Sequence, residues 1–204
     1  MVMTSANTTR YMLRRTRSSL QWTVRWIASM LRVLRLRVSR DGVTIPWSTR
    51  IGQGVEFRVT DGGTLHLASN VNVASHCLIV VQGGRLQIGT RSFIGQGSVV
   101  AAKQSIVIGA RALIAEYVTI RDQQHRIDSQ VEVADAGFTT APIVIGDDVW
   151  IAAKASVFQG STIGPNAVIG AHALVKGNIP AGAVAVGVPA RVVRYRQVLD
   201  NTID

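Results

Sequence analysis

Aliphatic or small residues recur every six positions through the C-terminal half of this chain, at Ile145, Ile151, Val157, Ile163, Ile169, Val175 and Ala181. A second run carries Ile88, Ile94 and Val100, then shifts by two residues to Ile108, Ile114 and Ile120. Weaker echoes occur at Ile51-Gly52 and between Val71 and Cys77. A period of six is neither the 3.6 of a helix nor the 2 of a simple strand. A helix would scatter these side chains around its axis, and a two-sided sheet has no need of the accompanying glycines. Small or β-branched residues sit four places on, at Val149, Ala155, Ser161, Ala167 and Ala173. The pattern suits a short strand followed by a tight turn, three of which close a triangular coil of about 18 residues. Ile145 is then expected beneath Ile163, and Ile163 beneath Ala181. Coils would stack about 4.8 Å apart through parallel-strand hydrogen bonds, the aliphatic residue pointing inward and the small one filling the corner. Glycines are expected to supply turn conformations that cost other residues more.

The expected fold is therefore mainly β, a parallel β-helix over residues 43–189 with roughly seven coils. One stretch breaks the rhythm. Residues 121–142, RDQQHRIDSQVEVADAGFTTAP, carry no repeat but hold four acids, two arginines and His125. A long excursion from a regular solenoid reads as functional. The solenoid's open ends need covers, for which residues 1–42 and a short C-terminal cap at 190–204 are available.

Charge is distributed unevenly. Of the net charge of +10, residues 1–40 contribute +9, from nine arginines and no acid. The remainder is nearly neutral, which argues against a nucleic-acid partner despite the basic total. Within the basic arm, Leu20, Val24, Ile27, Leu31 and Leu34 follow a helical rhythm and form a stripe about 80° wide. Charges interrupt the segment too often for it to span a bilayer. It reads either as an interfacial helix, with Trp22 and Trp26 at headgroup depth and arginines on anionic lipid, or as a helix packed on the body or a neighbouring subunit. Peripheral membrane contact through residues 10–40 is one expectation, with a cytoplasmic location at the inner face of the membrane.

The stretch from Pro142 to Arg194, PIVIGDDVWIAAKASVFQGSTIGPNAVIGAHALVKGNIPAGAVAVGVPARVVR, resembles the hexapeptide-repeat acyltransferases, within them the sugar and polysaccharide O-acetyltransferases. The resemblance is strong over residues 88–194, weak over 43–87 and absent from 1–42. It implies a left-handed β-helix, a homotrimer with active sites between neighbouring prisms, and acetyl-coenzyme A as donor, with no metal. It places His125 at the catalytic histidine. Ala153 matches a position beside the thiol end of the donor, Ala171 one along the pantetheine arm, and Lys176 a position often held by threonine. Arg191 and Arg194 match basic residues near the nucleotide phosphates. Asp122 and Trp150 are candidates for the acceptor side. Two departures stand out: the loop reads Asp122-Gln123-Gln124-His125 where polysaccharide-modifying relatives show Asp-His-Asp-His, and Gly95 aligns with an acceptor-binding asparagine.

Transfer to a sugar needs a hydroxyl deprotonated as it attacks a thioester, and imidazole is the side chain best matched to that work near neutral pH. Asp122, Asp128 or a backbone carbonyl could orient His125. Backbone N–H groups of the coil turns are the expected oxyanion donors. The function so implied is O-acetylation of a cell-surface glycan, glycolipid or lipid-linked precursor. The alternatives are N-acylation of an amino sugar and an inactive β-helical scaffold. A zinc site built from His66, His76, His125 and His172 is disfavoured, since no two of them are closely spaced. The lone Cys77, in the apolar run CLIVV, reads as a buried hydrophobe.

Overall fold

The computed structural model describes residues 23–24, 26–37, 41–127 and 130–197. From Val43 onward the chain winds as a left-handed parallel β-helix with three faces. Face A stacks seven strands from Val43–Thr44 to Asn178–Ile179, and face C stacks six from Glu56–Thr60 to Leu174–Val175. Face B stacks seven parallel strands from Arg50–Ile51 to Ala183–Val186, and Arg191–Tyr195 folds back antiparallel on the last of them. The result is six complete coils and two sides of a seventh.

The six-residue rhythm marks the core. Ile88, Ile94, Val100, Ile108, Ile114, Ile120, Ile145, Ile151, Val157, Ile163, Ile169 and Val175 all point into the prism and are at most 1% exposed. Each such side chain gains about 1.5–3 kcal/mol from leaving water. Val149, Ala155, Ser161, Ala167 and Ala173 fill the corners, equally buried. Cys77 is buried among them, with burial pushing its thiol up.

Ile145 lies beneath Ile163 as expected, but Ile163 pairs with Ile179 rather than Ala181. The corner Lys176-Gly177 is two residues shorter than the corner 158–161 of the coil before, so the register advances and Ala181 is exposed. Several glycines supply the turn conformation expected of them, at a positive φ in Gly97, Gly160, Gly177 and Gly182, and Arg111, Tyr117, Asp148, Lys154, Asn166 and His172 take the left-handed position elsewhere. Gly95, Gly109 and Gly146 open their corners without a positive φ. What these glycines provide is proximity: a Cβ on Gly146 would lie 2.6 Å from Pro165 N, in the next coil's backbone.

The GDDVWI motif is a clasp between coils. Asp147 Oδ1 accepts from Ala110 N at 2.8 Å, and Asp148 receives a two-pronged contact from Arg111 at 2.7 and 2.6 Å. Its hydrogen bonds to the guanidinium hold the Asp148 carboxyl below the usual range. These partners are 37 residues apart, because residues 121–142 intervene between consecutive coils.

The helix ending at residue 37 covers the first coil. Ser29 Oγ accepts from Ile51 N at 2.8 Å, Arg32 donates to Ile51 O at 2.9 Å, and Arg37 donates to Ile45 O at 3.2 Å. These side chains satisfy backbone groups that an edge strand would otherwise leave open. Val33 is fully buried on the core, and Arg37 also lies over Trp47. Leu20 and Trp22 lie outside the described residues. No helix among the described residues is long and apolar enough to cross a membrane.

Candidate active site

The interruption in the repeat folds as a hairpin at the corner between faces C and A. Gln123–His125 pairs antiparallel with Phe138–Thr140, setting His125 opposite Phe138. The two rings lie 4.2 Å apart between centroids at 40°, and His125 is solvent-exposed. Lys103, on the same corner one coil earlier, places Nζ over the other partner of this stack, 4.7 Å from the Phe138 ring, and donates to Gln82 Oε1 at 3.2 Å. On the following coil Gln159 donates to Thr139 at 3.0 Å, tying the hairpin's return strand to the body. His125 is thus presented to solvent on an aromatic support with a cation behind it.

Asp122, expected on the acceptor side, is turned into the body of the prism. Its side chain is fully buried, and its carboxylate accepts from the backbone N–H groups of Lys103, Gln104 and Ser105 at 2.7, 2.8 and 2.7 Å. With its amide nitrogen turned inward, Gln123 donates to the same carboxylate at 2.6 Å and to Ala101 O at 3.1 Å. The Asp122 carbonyl receives Ala141 N at 3.0 Å where the hairpin returns. This residue is the hairpin's anchor, and it is equally unavailable to orient the His125 ring. Asp128, the other carboxylate considered for that task, lies outside the described residues. Among the described residues neither His125 ring nitrogen has a hydrogen-bond partner.

The remaining candidates lie elsewhere on the prism. Trp150 is on face B between Leu113 and Val168, 49% exposed. Face B is opposite the corner that bears the hairpin, so the core separates Trp150 from His125 within one chain. Ala153 and Ala171 stack at the corner between faces B and C, one coil apart, with His172 N donating to Ala153 O at 3.0 Å. Their small side chains leave an accessible strip of backbone. Lys176 is exposed on the hairpin's own corner, further up the helix, and Arg191 and Arg194 are exposed on the final antiparallel strand of face B. The structure therefore brings together two groups: His125 and Lys176 along one corner, and Trp150, Ala153, Ala171, Arg191 and Arg194 on or beside face B. Gly95 cannot be exchanged for a binding asparagine on this backbone, because a Cβ there would collide with the Ala115 carbonyl of the next coil.

Residues 142–177 match the family model for the bacterial transferase hexapeptide, six repeats. Over that stretch the chain is similar to the hexapeptide-repeat transferases. Among curated relatives, it is 32% identical to the probable acetyltransferase Rv3034c of Mycobacterium tuberculosis, over 90% of this chain and 64% of that protein. It is 34% identical to the galactoside O-acetyltransferase of Escherichia coli, over 55% of each chain. The chain thus spans between about half and two thirds of these relatives' lengths. Among solved structures, the hexapeptide-repeat acetyltransferase VCA0836 of Vibrio cholerae, complexed with acetyl-coenzyme A, aligns with a TM-score of 0.51 and 26% identity, covering 72% of this chain and 73% of that one.

Lys103 and Phe138 escaped the sequence reading. Lys103 precedes the break in the repeat and looks like any corner lysine, and Phe138 sits in a stretch with no periodicity to assign it a face. Among the described residues no group of three His, Cys, Asp or Glu side chains could hold a metal ion.

Proposed function

We propose that this chain moves an acetyl group from acetyl-coenzyme A to a sugar hydroxyl on a cell-surface glycan, glycolipid or precursor, with His125 as general base. The observation that carries this reading is the hairpin: a solvent-facing imidazole stacked on Phe138, on a structure anchored at its base by a buried carboxylate. The similarity to acetyltransferases of the same repeat, one of them acting on galactosides, supports the reaction class.

The donor supplies an activated acyl carbon as a thioester. The residues present fit it: the Ala153–Ala171 strip can lie against an extended pantetheine arm because no side chain stands above the backbone there. Arg191 and Arg194 suit phosphate groups beyond the end of that strip, where charge-assisted hydrogen bonds are strong. His125 would accept the acceptor hydroxyl's proton and return it to the departing thiol. Lys103, held over Phe138, adds positive charge beside the acceptor's approach and favours anionic or strongly polar sugars.

Because His125 and the Ala153–Ala171 strip occupy different edges of one prism, a complete site calls for the hairpin of one copy beside the corner of another. A trimer of side-by-side prisms supplies that arrangement three times. The test is release of free thiol from acetyl-coenzyme A on addition of glycans, followed by treatment of the product with mild alkali. O-acetylation predicts acceptor-dependent thiol release and a label lost in alkali. An alkali-stable label would identify N-acylation instead, and no release with any acceptor would favour an inactive scaffold.

A further inference from the structure

The covering helix docks through the face opposite its apolar stripe. Ser29, Arg32, Val33 and Arg37 meet the first coil, with Leu36 packed against the core. At 100° per residue these positions centre roughly opposite the stripe of Val24, Ile27, Leu31 and Leu34. That stripe, the most apolar face of the helix, points away from the body: its members are 58%, 48%, 61% and 44% exposed. The body therefore does not account for it.

The geometry points to an anionic lipid surface as the occupant. We infer that the helix lies flat in the headgroup region, burying Val24, Ile27, Leu31 and Leu34 among acyl chains while the β-helix projects into water. Charge decides between this and a second copy of the chain. Residues 1–40 hold nine arginines and no acid, so two such arms apposed would repel, whereas an anionic leaflet neutralises them. The described part of the helix is too short and too charged to cross a membrane. Its position over the open end of the first coil leaves the His125 hairpin unobstructed, several coils further along the prism.

The test is co-sedimentation of the full chain with vesicles of phosphatidylcholine alone or mixed with phosphatidylglycerol. Binding is expected only to the mixed vesicles and is expected to weaken with added salt. The Ile27→Glu/Leu31→Glu variant alters exposed positions only, so its thermal midpoint should match the parent while its vesicle partitioning falls by about a hundredfold or more. Light scattering on the same samples distinguishes the rival occupant. Unchanged sedimentation of the variant, or equal binding to neutral vesicles, overturns the proposal, as does a fall in the variant's oligomeric mass, which would make the stripe a contact between copies. None of these readouts depends on acyl transfer, so the proposal stands or falls separately from the enzymatic reading.

Discussion

Substituting His125 by alanine is expected to lower turnover by about 10²–10⁴-fold, the range for loss of a positioned general base. The fold should not change. His125 is exposed, and its ring contacts Phe138 at the tip of a hairpin whose base is secured elsewhere. Thermal melting of the variant should therefore match the parent, while the steady-state rate with saturating donor and acceptor collapses. Equal rates in the two proteins would mean that the hydroxyl loses its proton to some other group, and that the hairpin presents His125 for a different reason.

The largest effect on stability is expected from Asp122→Ala. The substitution removes a fully buried carboxylate that accepts from three part-buried backbone N–H groups, those of Lys103, Gln104 and Ser105. Losing this acceptor costs about 3–5 kcal/mol in total, or a fall of about 6–20 °C in the thermal midpoint of a chain this size. Asp122→Asn should fall between, since one amide oxygen remains to accept while the amide nitrogen faces donors. Activity should drop as well, because the hairpin loses its anchor. A variant that melts normally and loses only acceptor affinity would restore the sequence-based view of Asp122 as a substrate contact.

That contrast shows where sequence was informative. The core was legible because a β-helix repeats one geometric unit, so each inward position carries the same demand for an aliphatic side chain. Ile145 over Ile163 followed directly. The next step failed because nothing in Lys176-Gly177 announces a corner two residues shorter, and Ile179 took the place expected for Ala181. The glycines were legible in part: Gly160 and Gly177 take the left-handed turn expected, but a glycine needed for close approach looks the same in one dimension. Only the next coil's backbone, pressed against Gly95 and Gly146, tells them apart.

Asp122 was expected on the acceptor side because it lies beside a histidine in a polar loop, yet its buried carboxylate gathers three backbone donors of the neighbouring coil, which no residue count can foresee. In the helix, the face that meets the body combines Val33 and Leu36 on the core with hydrogen bonds from Ser29, Arg32 and Arg37 to the first coil's open edge. The candidate donor residues fared differently. Ala153 and Ala171 fall on one corner and Arg191 and Arg194 on face B, while Lys176 lies on the hairpin's corner; the proposed meeting of these groups with His125 between copies is a relation that a single chain's sequence does not express.

Use of a coenzyme A thioester by this β-helix is tested by calorimetric titration with acetyl-coenzyme A. Saturable binding is expected at about one donor per chain, weakened by about tenfold or more in the Arg191→Ala/Arg194→Ala variant, which lacks the exposed guanidinium groups proposed to meet the donor's phosphates. An absence of binding heat at roughly millimolar donor, or parent-like affinity in the variant, would contradict it.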